Sequence, residues 1–210
     1  MSADFPLAIL AKAPIPGETK TRLIPVLGAE GAARLHAALL CHTLEVAINA
    51  TAAHQITLWT ALDHSHPLFL ELADRYDIEL RAQPEGDLGD RMHRALSTMK
   101  GSGLLIGSDC PALTPTLLAE CHDALEEAEV VLLPAEDGGY GLVGVRHPDA
   151  RLFQDIAWGT AEVMATTRQR IEALGWRLSC PARVWDVDRP QDLQRLALGF
   201  PRLGRCLKVE

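Results

Sequence analysis

Carboxylates and cations recur in this sequence at the ends of short apolar runs, where they could bind a phosphorylated ligand. The first such segment is Ala11-Lys12-Ala13-Pro14-Ile15-Pro16-Gly17-Glu18-Thr19-Lys20-Thr21-Arg22-Leu23. It follows the apolar run Leu7–Ala11, which reads as a buried strand, and a loop leaving the first strand of an open α/β sheet lies at the edge where ligands bind. Gly17 permits close backbone approach, and Lys12, Lys20 and Arg22 are suited to a diphosphate. The stretch lacks the second glycine of a P-loop and is not a Gly-x-Gly-x-x-Gly turn. A proline-stiffened surface loop with solvated charges fits the spacing equally well.

The second segment, Leu105-Ile106-Gly107-Ser108-Asp109-Cys110-Pro111, places Asp109 at the carboxyl end of another apolar strand. A carboxylate there suits Mg²⁺ or Mn²⁺, which take one or two protein carboxylates and complete their shell with phosphate oxygens. The competing reading is a cap on the following turn. Cys110 has no identifiable base and reads as a buried structural thiol. In Glu136-Asp137-Gly138-Gly139-Tyr140-Gly141, the glycines allow close approach to a bound molecule, and a plain hairpin turn explains them equally well. Asp186 and Asp188, in Trp185-Asp186-Val187-Asp188-Arg189-Pro190, share one face if the stretch is extended and would repel without a cation or proton. Asp188 could instead cap a helix opening at Pro190. The histidines of Asp63-His64-Ser65-His66 read as solvated, and the adjacent pairs Cys41-His42 and Cys121-His122 diverge on helices and form no dyad.

The elements that must position these groups alternate in type. Helical spacing is expected over Ala29–Ala50, Pro67–Arg75, Leu88–Met99, Thr114–Glu127, Ala161–Leu174 and onward from Pro190. Strands are expected at Ile56–Thr60, Ile78–Arg81, Gly103–Gly107, Val130–Pro134 and Tyr140–Val145, with a strand pair near Arg177–Ser179 and Arg183–Val187. This order favours one α/β domain over residues 1–210, a mostly parallel central sheet with helices on both faces.

Composition sets the outer limits. The 210 residues are 48% apolar and 23% charged, as in an ordinary folded globule. A net charge of −8 argues against a nucleic-acid partner held by phosphate contacts. No apolar run is read as long enough for a membrane span, the first residues do not read as a secretion signal, and five scattered cysteines indicate neither a zinc site nor a disulfide framework. A cytoplasmic location is expected.

Taken in order, the motifs resemble the GT-A-type nucleotide-diphospho-sugar transferase superfamily. The likeness is nearest to a bacterial branch of selenodomain-associated or arsenosugar-related glycosyltransferase-like proteins. The motifs carrying it stand at Ala11–Leu23, Gly86–Met92, Gly107–Pro111, Asp137–Tyr140, Trp158–Thr160 and Asp186–Leu193. The resemblance implies a metal-dependent transferase with a nucleotide-sugar donor and a small-molecule acceptor. Lys12, Gly17, Lys20, Arg22, Gln83, Gly89 and Arg91 would hold the nucleotide. Asp109 would be the metal-binding carboxylate of an Asp-x-Asp-like element. That element is Gly107-Ser108-Asp109 here, which shifts weight onto Asp186 or Asp188 as a further ligand to Mg²⁺ or Mn²⁺. Gly139, Tyr140, Trp158 and Thr160 would face the acceptor, with Asp137 as general base by position. The Lys-Thr-Arg-Leu element also resembles phospholactate guanylyltransferases, which keeps a nucleotidyltransferase reading open. A nucleotide-binding sensor without turnover is the non-enzymatic alternative.

Overall fold

The computed structural model describes residues 4–207. One seven-stranded sheet runs through it in the order β3-β2-β1-β4-β6-β5-β7. The strands are β1 (Leu7–Lys12), β2 (Ile56–Ala61), β3 (Glu79–Ala82), β4 (Gly103–Gly107), β5 (Val130–Pro134), β6 (Tyr140–Val145) and β7 (Leu178–Ser179). β1 pairs in parallel with β2 and β4, β2 with β3, and β5 with β7, whereas β6 runs antiparallel to both β4 and β5. The expected mostly parallel α/β sheet is therefore present, with one reversed strand. That reversal matters, because it brings the first residue of β6, Tyr140, to the edge where β1, β4 and β5 end.

Helices cover both faces. On one, α1 (Ile24–Ala50), α2 (Pro67–Tyr76) and α4 (Pro115–Asp123) bury residues such as Leu40, Leu44, Phe69, Leu72 and Leu118 against Leu7, Ile9, Leu58 and Ile106. On the other, α3 (Leu88–Ser97) and α5 (Val163–Ala173) bring Met92, Ala95, Leu96 and Ile171 onto Leu105, Val130, Leu132 and Val143. The central strands are apolar on both faces because both are covered. A third cluster joins Leu35 and Leu39 of α1 to Trp185, Val187 and the closing helices α6 (Asp192–Gly199) and α7 (Pro201–Gly204).

Helix boundaries follow local chemistry. The Thr114 hydroxyl accepts from Leu117 N at 3.1 Å ahead of Pro115. Asp87 and Asp90 form a reciprocal capping box at the start of α3. α1 is broken at Gly28, whose φ of 68° lies in the left-handed region, so regular helix resumes after Gly28, where apolar periodicity predicts its start.

Three expectations need correction. The segment 21–50 is long and apolar enough by composition to cross a membrane, which a scan for unbroken apolar runs misses; an 18-residue window in it has a mean hydropathy of 1.3, and half of that window is buried within the fold. Arg177–Ser179 and Arg183–Val187 do not pair with each other: β7 extends the sheet beside β5, and Val184 makes a single parallel bridge to Ala135. His64 is exposed as expected, but His66 caps α2, its Nδ1 accepting from Leu68 N at 3.2 Å, after a turn in which Asp63 accepts from Ser65 N at 3.0 Å.

Candidate active site

The loop after β1 is built to carry Lys20 inward. Ile15 N donates to Ala13 O at 2.8 Å and Glu18 N to Ile15 O at 3.1 Å, turns that the proline-rich sequence favours. Gly17 takes φ of 87° without a Cβ penalty, and Lys20 itself sits at φ of 49°, an uncommon conformation for a residue with a side chain. The outcome is a Lys20 side chain only 6% exposed, its ammonium 2.8 Å from Asp109 Oδ2. Backbone strain of this kind, of order 1–3 kcal/mol, persists where surrounding contacts impose it and concentrates at functional sites.

Asp109 leaves the end of β4, and its carbonyl accepts from Val187 N at 2.9 Å. Val184 N donates to Pro134 O at 2.9 Å, so the segment 184–188 is pinned across the ends of β4 and β5. Asp186 and Asp188 thereby reach the same edge as Asp109. The Asp188 carboxylate accepts from Arg22, which closes a second bond between the first loop and this segment. Asp188 does not cap α6, which has no side-chain cap; Asp192 at its first turn instead accepts from Asp188 N at 3.0 Å and Arg189 N at 2.7 Å and holds the preceding turn.

A cleft of about 580 Å³ opens along this edge. Lys12, Lys20, Arg22, Gln83, Arg91, Asp109, Asp137, Gly139, Tyr140, Trp158, Thr160, Asp186 and Asp188 all line it. Two of the glycines do not. Gly17 shapes its loop from outside the wall. Gly89 lies behind the wall, where an added Cβ would come within 2.8 Å of Phe153 O and 2.9 Å of Trp158, so its job is close packing. Gln83 has both amide hydrogens engaged, by Trp59 O at 2.9 Å and Ala11 O at 3.2 Å, which leaves its carbonyl oxygen beside Arg91.

Sequence reasoning missed His36, counted as one residue of a long amphipathic helix. It is buried, lines the cleft, and its Nε2 lies 2.9 Å from Lys12 O, fixing that nitrogen as the donor, while Nδ1 has no partner. Burial and the Lys20 and Lys12 charges hold its pKa below the ordinary range. Nothing in the spacing of α1 distinguishes it. Leu88 and Met92 of α3 were missed as lining residues for the same reason, and Ser108, just after β4, was given no role of its own.

Electrostatics separate the carboxylates. Burial alone would raise the Asp109 carboxyl, yet the adjacent Lys20 ammonium more than offsets this and holds it below the ordinary range. Asp186 has no such partner: burial first, and then the charges of Asp109 and Asp137, push it up to about 6. Burial and the Asp109 charge push the Cys110 thiol up to about 12, so it is not a nucleophile near neutral pH.

Among the described residues, no group of three or more His, Cys, Asp or Glu is arranged to hold a metal. The donor set is instead a pair of crowded carboxylates, Asp109 and Asp186, beside cations fit for phosphate. That pattern suits Mg²⁺ or Mn²⁺, which commonly use one or two protein carboxylates with substrate oxygens, and it does not suit zinc.

Residues 39–160 match a family model described as "Uncharacterized protein conserved in bacteria (DUF2064)", a span covering more than half of the chain. The chain belongs to this family. The DUF2064 match contains Gln83, Asp109, Asp137 and Trp158, while the Lys12–Arg22 loop and Asp186–Asp188 fall outside it.

Among solved structures, the DUF2064 chain is similar to a protein from Desulfovibrio desulfuricans G20 provisionally named a nucleotide-diphospho-sugar transferase. The identity is 24%, all of both chains is covered, and the TM-score is 0.80. It is also similar to a nucleotidyl transferase from Methanothermobacter thermautotroptrophicus, at 16% identity over 95% of this chain and 99% of that one, with a TM-score of 0.63. A CMP:2-keto-3-deoxy-manno-octonic acid synthetase complexed with CTP gives 11% identity over 95% and 99%, with a TM-score of 0.61. These likenesses establish the nucleotide-diphospho-sugar transferase fold. No curated protein matches the sequence.

Proposed function

We propose that this protein is a metal-dependent transferase that takes a nucleotide-sugar as donor and delivers its sugar to a small-molecule hydroxyl. One observation carries the reading: the loop holding Lys20 and Arg22 and the acids Asp109 and Asp188 meet through two ion pairs, although they lie far apart in the sequence. Cations for a diphosphate and carboxylates for a divalent ion therefore share one cleft. The activities named for the similar Desulfovibrio and Methanothermobacter proteins support a transferase on this scaffold.

The roles follow from position. Lys12, Lys20 and Arg91 receive the phosphates, with Arg22 holding Asp188 in place. Asp109 and Asp186 hold Mg²⁺ or Mn²⁺, which when bound neutralises the diphosphate and makes it a better leaving group. The acceptor oxygen attacks the anomeric carbon, and the bond from that carbon to the diphosphate oxygen breaks with its electron pair. Asp137, whose Oδ1 is oriented by Gly139 N at 2.9 Å, takes the acceptor proton. One domain acting in the cytoplasm carries out all of these steps.

A nucleotidyltransferase is the second reading, favoured by the named activities of the Methanothermobacter and CTP-bound structures. In that case a substrate oxygen attacks the α-phosphate and pyrophosphate leaves. Incubation with Mg²⁺ or Mn²⁺ and a panel of nucleoside triphosphates and nucleotide-sugars distinguishes the two by leaving group. Nucleoside diphosphate supports sugar transfer, and pyrophosphate overturns it. Thermal stabilisation without product identifies a nucleotide sensor.

A further inference from the structure

Charge is distributed unequally along the cleft, and sheet order explains why. The ends of β1 and β3 contribute Lys12 and Gln83, with Arg91 of α3 beside Gln83, while the ends of β5 and β6 contribute Asp137, Gly139 and Tyr140, with Asp109 of β4 between them. Toward β5 and β6 the charged group lining the cleft is Asp137, whereas Asp186 feels the Lys20 charge and belongs with Asp109 to the metal pair. The nearby Arg195 is spent elsewhere, bound to Glu136 at 2.9 Å and lying over the Trp185 ring at 4.3 Å.

The same half is rigid and aromatic. Tyr140 and Trp158 meet edge to face with ring centroids 6.5 Å apart. Trp158 Nε1 is shut off from solvent without a hydrogen-bond partner, and the Tyr140 hydroxyl is buried toward Thr167, so the surface these side chains present is ring carbon. Gly138 approaches Ala161 so closely that an added Cβ would lie 2.2 Å from its carbonyl oxygen, and Met164 N donates to Gly138 O at 2.8 Å. The turn carrying Asp137 is thus locked to the loop carrying Trp158.

We infer that this half binds an acceptor without phosphate or carboxylate: a neutral or amine-bearing polyhydroxy compound that lays its C–H face on the aromatic pair and directs a hydroxyl or ammonium group to Asp137. An anionic acceptor would bring its charge against the Asp137 carboxylate, and like charges brought together in an interface oppose binding. Ring C–H surface against aromatic carbon carries no such cost. The inference rests on the transferase reading above and adds the chemical class of its acceptor.

The test uses the wild-type protein with Mg²⁺ and matched acceptors: methyl glucoside and methyl mannoside, glucosamine and mannosamine, and glucose 6-phosphate and mannose 6-phosphate. UDP-glucose, GDP-mannose, CTP and GTP serve as donors. Binding of each set is read in parallel by saturation-transfer NMR with the basic half filled by UDP or GDP. The expected result is use or binding of the neutral or amino set at least about tenfold better than the phosphate set, a difference of about 1.4 kcal/mol. In Thr160→Arg, which puts a cation at the edge of this half, the preference moves toward the phosphates. Phosphate esters used or bound as well as the neutral set overturn the inference, as does failure of all three sets to bind. The leaving group separates this from the reading beneath it. Nucleoside diphosphate released with phosphate esters sinks the acceptor class alone, and pyrophosphate released with neutral acceptors sinks sugar transfer alone.

Discussion

Lys20 Nζ lies 2.8 Å from Asp109 Oδ2 across 89 residues of sequence, joining the loop after β1 to the end of β4. The two side chains differ in exposure, 6% for Lys20 and 41% for Asp109, so the ammonium is held inside while one face of the carboxylate looks into the cleft. A buried cation fixed on a half-open carboxylate neutralises the site without closing it to a ligand.

Removing one partner strands the other. Lys20→Ala is expected to lower stability by about 1–3 kcal/mol, less than for a fully buried pair because Asp109 is partly solvated. Asp109→Asn is expected to cost a similar amount, and the double variant less than the sum, with a coupling of at least about 0.5 kcal/mol in a urea double-mutant cycle. Additive costs would show that the pair is incidental.

Asp186 gives the pH dependence. Its folded-state pKa of about 6 lies above its ordinary value of 3.8, so the folded state holds more protons than the unfolded state between those limits. Stability is therefore expected to fall as pH rises through that window and to level off above it. Asp186→Asn removes the ionised group and is expected to raise Tm at pH 7.5 by about 2–4 °C, discounting for partial exposure, with little change near pH 4. Melting curves at both pH values check the sign.

Mg²⁺ or Mn²⁺ supplied with a nucleoside diphosphate is expected to relieve the same repulsion. Wild type is expected to gain Tm from the metal beyond the gain from nucleotide alone, and Asp109→Asn and Asp186→Asn to lose that extra increment. An undiminished increment in both variants would place the metal elsewhere.

Gly138→Ala meets both a φ of 94° and the Ala161 carbonyl 2.2 Å from the new Cβ. It is expected to cost at least about 2 kcal/mol and to displace the Trp158 loop, lowering acceptor turnover more than nucleotide affinity. Equal losses in both would show that the turn supports the whole cleft.

Much of this arrangement was legible in the sequence because strands buried on both faces leave unbroken apolar runs, as at Gly103–Gly107 and Val130–Pro134, and the chemistry begins where those runs stop. Asp109 and Asp137 were found that way. Two kinds of information were out of reach. Pairing between distant segments, such as Arg22 with Asp188, depends on sheet order, which no local pattern encodes. Side chains on a continuous helix carry no mark of which one faces a ligand, so nothing singled out His36, while Gly89 looked like a ligand-side glycine because close helix packing and close ligand approach require the same residue.

The central claim is that one divalent ion and one nucleotide share the cleft between Lys20, Asp109 and Asp186. Anomalous diffraction from crystals soaked with Mn²⁺ and a nucleoside diphosphate tests it most directly. The account predicts a manganese peak contacting Asp109 or Asp186, with the diphosphate toward Lys12 and Lys20. A nucleotide bound away from this cleft, or a metal contacting neither carboxylate, would contradict it.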